Sequence, residues 1–214
     1  MGPDIRTVWR VNAGLSVIVA ATLGITGCVE TRSRTESSDK TASTASSVVA
    51  DKPFVSGGKI AIELDGGGYE VRAASDNRIR VSITDNAGNT KVEVTPEGER
   101  ADVKVKDTPH NNFKATIEVP KTADLTIRLS GGELAIGAIA GNKDVEAIGG
   151  NIHIAVGDPN DYASVDASVK AGDLSASPFG GSKSGLMQHF TWSGKGKYTL
   201  RASLGAGNLS LRGE

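Results

Sequence analysis

The sequence predicts an all-β protein, specifically a β-solenoid or stacked β-strand repeat that follows a flexible N-terminal tether. From Phe54 onward apolar residues alternate with polar ones, which is typical of half-buried strands. A short glycine-containing unit recurs in the later part of the chain. The chain also contains 27 glycines but only 4% aromatic residues. That composition favours thin layers and frequent turns over a core filled with large rings.

The start of the chain has the pattern of a bacterial export signal. Arg6 and Arg10 precede an uncharged run over residues 11–29, and a positive start followed by a short apolar stretch describes a secretory signal. The run contains Ile25-Thr26-Gly27-Cys28, which resembles the lipobox of bacterial lipoproteins. The resemblance implies that residues 1–27 are removed and that Cys28, the only cysteine, is acylated with fatty acids such as palmitate. A transmembrane anchor and plain secretion are the alternatives.

Residues 28–53 are predicted to be a flexible linker between the lipidated cysteine and a folded domain at residues 54–214. The segment is rich in Ser, Thr, Ala and charged residues and has no apolar period, as is typical of linkers. Val29 follows the cysteine, and the absence of Asp there resembles the outer-membrane default of Gram-negative lipoproteins. We therefore expect a lipid-anchored protein of the cell envelope, held in the outer membrane if the source is Gram-negative.

Within the domain, several segments alternate strictly between apolar and polar residues, and turn-forming residues separate them. These segments are 59–64, 78–84, 91–95, 101–106, 113–119 and 124–130. A shorter unit then recurs, in which a small residue and a glycine precede a polar residue and two alternating apolar ones. Its copies are 131–136, 149–154, 171–176 and 206–211. Glycine permits a turn with positive φ, and repeat periods of roughly 20 residues suggest stacked coils.

A region near the C-terminus breaks the repeat and holds half of the aromatic residues that follow the signal. They are Phe179, Phe190, Trp192 and Tyr198. We expect this region to form a longer excursion or a cap over the open end of the stack. Trp192, Tyr198 and Phe190 are also the candidate ligand surface, since aromatic rings can stack against sugars.

From about Gly57 to its end, the chain resembles the putative-adhesin family of β-strand-repeat proteins of unknown function. The resemblance lies in the recurring GG[EN][LI] and AG[DN]L units and in the tail segments 179–185, 192–198 and 204–209. It implies a solenoid-like β fold in the bacterial envelope and no known catalytic residues.

Composition and spacing argue against several kinds of site. A formal net charge of −1 gives no electrostatic case for nucleic acid. A single cysteine cannot form an intrachain disulfide or a cysteine zinc site. The histidines His110, His153 and His189 lack the spacing of metal ligands. We therefore expect no catalytic residue, no cofactor and no metal site.

The sequence thus favours a non-catalytic envelope lipoprotein with an adhesion or scaffold role, whose partner is the membrane and either an envelope protein or a polysaccharide. Two alternatives stay open. One is a carbohydrate-binding module that uses the aromatic residues named above. The other is a polysaccharide-active enzyme, for which Lys143, Asp144, Lys170 and Asp173 would have to share one flat face. The sequence leaves the oligomeric state open.

The lipid anchor can be tested on protein purified from bacterial membranes. We expect mass spectrometry of the mature N-terminus to find Cys28 acylated and residues 1–27 removed. The Cys28→Ser variant cannot be acylated at this position, so it should be lost from the membrane fraction. Each buried methylene of an acyl chain contributes about 0.8 kcal/mol to anchoring. An unmodified Cys28 at that position would contradict the lipoprotein prediction.

Overall fold

The computed structural model describes residues 47–213, and that part of the chain is built almost wholly from β-strands. The strands are β1 (Ser47–Pro53), β2 (Lys59–Leu64), β3 (Gly67–Ala73), β4 (Arg78–Asp85), β5 (Lys91–Glu97), β6 (Arg100–Lys106), β7 (Lys114–Val119), β8 (Asp124–Leu129), β9 (Gly132–Ile136), β10 (Lys143–Ala155), β11 (Tyr162–Ala176), β12 (Gly181–Ser193) and β13 (Tyr198–Arg212). Two single turns of 3-10 helix, Pro159–Asp161 and Ser177–Phe179, interrupt them, and residues 47–213 contain no α-helix. The predicted all-β class is confirmed.

All thirteen strands belong to one sheet that curls around an apolar core. The longest hydrogen-bonded path runs β1-β4-β7-β3-β9-β10-β8-β2-β6-β5, and β13, β11 and β12 continue the sheet from β10. Because β1 and β5, the two ends of that path, contact each other, the sheet is nearly closed there. Alternation turns every second side chain inward. The enclosed side chains are mostly Val, Ile, Leu and Ala, and their burial is the main force that favours folding.

Three long strands, β10, β11 and β13, each bend in the middle and so contribute to two faces of the molecule. The N-terminal half of β10 (143–147) pairs with β8, and its C-terminal half (150–154) pairs with β9. We call the outer side of β6, β2, β8 and the N-terminal halves of β10, β13 and β11 the first face. The second face is the outer side of β7, β3, β9 and the C-terminal halves of the same three strands.

At the bend, glycines of neighbouring strands lie in register and form a continuous column. Its members, in spatial order, are Gly67, Gly132, Gly150, Gly207 and Gly172. All have positive φ, as at Gly150 (122°), a conformation that L side chains rarely adopt. A Cβ placed on Gly150 would overlap the carbonyl oxygen of Gly132, and each later glycine meets its neighbour in the same way. The column therefore excludes side chains for two reasons, the positive φ angles and the lack of space for a Cβ atom.

The strand order departs from a simple repeat stack, so the predicted solenoid is not what the structure shows. The sheet is mixed, because β1–β4, β4–β7, β5–β6 and β11–β12 pair antiparallel while the central strands pair in parallel. β13 lies between β10 and β11, which places the fourth glycine unit between the second and the third. The physical reason is that β12 occupies the far edge of β11. The next strand can then pair with β11 only on the side that faces β10.

The β structure begins earlier than the sequence predicts. β1 lies inside the segment expected to be a linker (28–53) and pairs antiparallel with β4. Arg78 Nε donates to Asp51 Oδ1 at 2.6 Å, which ties β1 to β4. The predicted lipidation site, Cys28, lies outside the described residues.

The core of the described residues lies well inside that part of the chain. Among residues 47–213, every buried core residue falls between Phe54 and Leu211, and residues 42–214 form one compact unit. The 42–214 fragment is therefore used for the experiments below. Within the described part of the chain, no helix has the length and hydropathy needed to cross a membrane.

The glycine column makes a specific stability prediction. We expect Gly150→Ala to destabilise the 42–214 fragment by about 3 kcal/mol or more, because the new methyl group combines backbone strain with steric overlap. The matched control is Gly149→Ala, whose Cβ would lie 3.5 Å from the carbonyl oxygen of Ala206 without positive φ. That change should alter the free energy of unfolding by at most about 1 kcal/mol. Urea denaturation measures both, and equal effects would show that the column tolerates a side chain.

Candidate functional site: a polar groove on the first face

Strand register arranges charged side chains of the first face in rows. Outward residues of paired strands lie side by side, close enough for their side chains to interact. Arg128, for example, points outward between the buried Ile127 and Leu129. One row is Asp102, Ala61, Thr126, Asp144, Arg201 and Asp166, and the next is Lys104, Glu63, Arg128, Glu146, Ser203 and Ser168.

Ion pairs cross these rows from strand to strand. Arg128 Nη1 donates to Asp144 Oδ1 at 3.1 Å, and Arg128 Nε lies 3.0 Å from Glu146 Oε2. Lys106 Nζ lies 3.3 Å from Glu63 Oε2. Because these side chains are roughly half exposed, each pair contributes only about 0–1 kcal/mol to stability. Their main effect is to hold the charged groups in fixed relative positions.

The rows line two adjoining depressions that we together call the polar groove. The larger depression, of ≈ 490 Å³, has Glu63, Arg128, Glu146 and Lys170 among its walls. The neighbouring one, of ≈ 400 Å³, is lined by Arg128 as well and adds Asp144, Asp166 and Arg201. The shared residues Arg128 and Glu146 make the two depressions continuous. The polar groove thus runs across the strands and presents hydrogen-bond donors and acceptors in alternation.

Two cations of the polar groove are available to a ligand. Arg201 lies in register between Asp144 and Asp166, yet neither it nor Lys170 forms an ion pair with any residue of 47–213. At the far end of the groove, His189 Nε2 lies 3.0 Å from Asp166 Oδ1. A guanidinium without a partner can donate several hydrogen bonds in a fixed planar arrangement.

The four residues that a polysaccharide-active enzyme would need are not brought together. Asp144 and Lys170 line the polar groove, but Asp173 follows the bend glycine Gly172 and belongs to the second face. Lys143 points inward and is only 2% exposed. The flat catalytic face considered from the sequence therefore does not form. Within residues 47–213, no three His, Cys, Asp or Glu side chains are placed to hold a metal ion.

Lys143 is a buried ammonium whose hydrogen bonds are made by uncharged groups. Its Nζ donates to the carbonyl oxygen of Ile139 at 2.5 Å and to Tyr162 Oη at 3.0 Å, and it lies 5.4 Å from the centre of the Tyr162 ring. Burial lowers the pKa of Lys143 to about 8, with a smaller opposing effect from Asp124. Lys143 is thus a structural element of the core near the start of β10 and is not accessible to substrate.

The aromatic residues predicted to form a ligand surface pack mainly against each other and the core. Trp192 lies against Phe179 with ring centres 4.8 Å apart, and Tyr198 meets Tyr162 edge-on at 6.3 Å. Phe190 is also partly buried against the core. These contacts place the rings at the β11–β12 end of the sheet, where they cover its interior and do not form an open flat platform.

Sequence reasoning missed the polar groove. Alternation identifies Arg128 and Arg201 as outward residues, but it does not say which strands are neighbours. The groove depends on β13 lying between β10 and β11, which brings Arg201 between Asp144 and Asp166. The available signal was the presence of charged residues at equivalent outward positions of several strands.

The buried lysine predicts a pH dependence of stability. Its folded pKa of about 8 lies below its ordinary value of 10.5, so between these values the unfolded chain binds the proton more tightly. Stability should therefore rise from pH 8 to pH 10, by up to about 1.4 kcal/mol per pH unit. Lys143→Met should abolish that rise, whereas the exposed Lys170→Met should retain it. Chemical denaturation across this range measures the difference, and parallel curves for wild type and Lys143→Met would refute it.

Among known proteins, this chain shows similarity only to solved structures. No protein-family model matches the sequence, and no curated protein matches it. A putative cell adhesion protein from Clostridium sporogenes ATCC 15579 is 12% identical, with 79% of this chain and 100% of that chain covered and a TM-score of 0.47. A putative adhesin from Parabacteroides distasonis ATCC 8503 is 13% identical, with 54% and 58% covered and a TM-score of 0.26. A putative adhesin from Bacteroides fragilis NCTC 9343 is 8% identical, with 79% and 99% covered and a TM-score of 0.24.

Proposed function

We propose that this protein is an envelope lipoprotein, anchored through Cys28, whose β domain is a non-catalytic adhesion module that binds a polysaccharide along the polar groove. The observation that carries the proposal is the groove itself. Strand register sets charged and hydroxyl side chains of several neighbouring strands in rows on one face.

The dimensions of the first face suit an extended ligand. Six strands, from β6 to β11, lie side by side there, and neighbouring strands are about 4.8 Å apart. The face therefore spans roughly 24 Å across the strands, the length of several linked sugar rings. A polymer that crosses the strands would meet a new side chain at every strand, which gives many weak contacts instead of one deep site.

The charge pattern suits a polymer rich in hydroxyl groups and without net charge. Carboxylates and cations are interleaved, as at Glu63, Arg128 and Glu146. Such a surface attracts neither polyanions nor polycations strongly, while both kinds of group can bond hydroxyls. The partly buried aromatic cluster around Trp192 offers less to a sugar, because its rings already pack on one another.

The proposed lipid anchor and the polar groove would act together in binding. A lipid on Cys28 would fix the chain in a membrane, and β1, the first strand described, begins at Ser47. The intervening residues, with their linker composition, would let the domain sample orientations above the surface. Many domains on one envelope would then bind a polymer with a gain in avidity, even if each groove binds weakly.

The ligand proposal is tested by the binding of the 42–214 fragment to an array of neutral polysaccharides. We expect Arg201→Ala to weaken binding by at least about tenfold, since a hydrogen bond to a charged group is worth about 1.5–3 kcal/mol. The matched control is Arg72→Ala on the second face, where Arg72 pairs with Glu118 at 2.8 Å. That variant should bind as wild type does, and thermal denaturation should confirm that both variants fold.

Two results would overturn the proposal. One is the absence of binding to any polysaccharide on the array. The other is binding that Trp192→Ala abolishes in a folded protein while Arg201→Ala does not change it, which would assign the ligand to the aromatic end. The lipid anchor is a separate claim and depends on the mass of the mature N-terminus.

A further inference from the structure

One large apolar side chain is exposed inside the polar groove. Among residues 47–213, the exposed large apolar side chains are those of Val48, Val49, Val55, Ile148, Leu186 and Met187. Of these six, only Ile148 lines the groove, where it forms part of the larger depression. Its side chain is 75% exposed. Because contact between water and an apolar surface is unfavourable, a ligand that covers Ile148 gains affinity.

Strand register places Ile148 beside a gap and a lysine. The pairing of β10, β13 and β11 sets Ile148 next to Gly205 and Gly205 next to Lys170. Gly205 has no room for a side chain, because a Cβ there would overlap the carbonyl oxygen of Ile148. Ile148 and Lys170 are both exposed, and their strands are two strand spacings apart, roughly 9.6 Å. They therefore flank a gap about one sugar ring wide, and we call these three residues the ring subsite.

Hydrogen-bonding groups surround the ring subsite. Lys170 forms no ion pair with any residue of 47–213, so its ammonium can donate to a ligand. Glu146 and Ser203 occupy the preceding outward positions of β10 and β13 and line the same depression. Sites for small ligands typically combine an apolar surface with a few polar groups that fix orientation. A sugar ring has the matching division, with C–H bonds on its faces and hydroxyl groups around its edge.

We propose that the ring subsite holds one ring of a flat, equatorially linked pyranose polymer, such as a β-1,4-glucan, with a C–H face of that ring against Ile148. This inference rests on the proposed polysaccharide-binding function and specifies the class of polymer. Equatorial linkages keep successive rings in one extended ribbon, which can lie flat across the strands. An axial bond in the linkage, as in an α-1,4-glucan, makes the chain curl and lifts neighbouring rings off the face.

The ring subsite and Arg201 lie within reach of one such ribbon. Arg201 and Gly205 are both on β13, and four residues of a strand span roughly 13 Å. The two depressions that contain them share Arg128 and Glu146, so the path between them is open. A ribbon that crosses the strands obliquely would thus have an apolar contact at Ile148 and hydrogen bonds at Arg201, and each contact can be removed separately.

Two oligosaccharides of the same sugar and the same length test the polymer class. Cellohexaose is linked β-1,4 and maltohexaose is linked α-1,4, so they differ only in the shape that the linkage imposes. We expect the 42–214 fragment to bind cellohexaose at least about fivefold more tightly than maltohexaose, because only the flat ribbon reaches Ile148 and Arg201 together. Isothermal titration calorimetry measures both dissociation constants.

Substitution of Ile148 tests the apolar contact itself. Ile148→Ser should weaken the binding of cellohexaose about three- to tenfold, because the ring loses the apolar surface that it covers. Ile148→Leu keeps that surface and should bind as wild type does. Val48→Ser is the matched control, since Val48 is 60% exposed but lies in β1, and it should leave binding unchanged. All three variants replace exposed side chains, so thermal denaturation should show that each one folds.

The possible failures of the ring subsite and of the polar groove can be told apart. Equal binding of the two hexaoses, or cellohexaose binding that Ile148→Ser leaves unchanged, would overturn the ring subsite. The proposed function would still stand in that case if Arg201→Ala weakens the binding of a neutral polysaccharide. The absence of binding to any polysaccharide would overturn both proposals together.

Discussion

The close approach of backbone to backbone in the glycine column is the constraint on which the rest of the structure depends. Neighbouring strands meet at the bend with no room for a Cβ, as at Gly150 against Gly132. This contact fixes where each strand turns from the first face to the second. It also fixes register, because a slip of one residue would bring a side chain into the column and turn every apolar residue outward. Local backbone geometry and the global hydrophobic pattern therefore specify the same alignment.

The arrangement of the outward side chains follows from that alignment. Once the bends coincide, outward residues of successive strands must also coincide, so Arg128 meets Asp144 and Glu146 and Arg201 falls between two aspartates. The proposed binding surface needs no dedicated loop and no deep cavity. Substitutions at outward positions would change it while leaving the column and the core untouched. The fold thus separates the residues that determine shape from those available for binding.

Much of the fold follows from sequence, and the part that does not has definite physical reasons. Alternation located segments such as 59–64 and 124–130, which are β2 and β8, and the repeated glycines marked the bend. The predicted repeat stack did not give the neighbour order, because similar units compete for the same partners and only β12, on the far side of β11, decides between them. β1 was missed since its side chains are almost all exposed and carry no apolar period.

Lys143 was placed on the surface because charged residues are seldom buried without a counter-charge. The polar groove needed neighbour order, which a single sequence does not contain.

The position of β13 has a consequence for how the chain acquires its structure. β10 and β11 are consecutive strands, yet neither donates a backbone hydrogen bond to the other, because β13 separates them. β11 and β12 therefore have no hydrogen-bonded link to β10 until β13 is in place, whereas β1 to β10 already pair with one another. Attachment of β11 and β12 is thus a non-local step, since it requires a strand that follows both of them in sequence. Loop-closure entropy has to be overcome before such contacts form, which makes this step slower than the pairing of strands that are close in sequence.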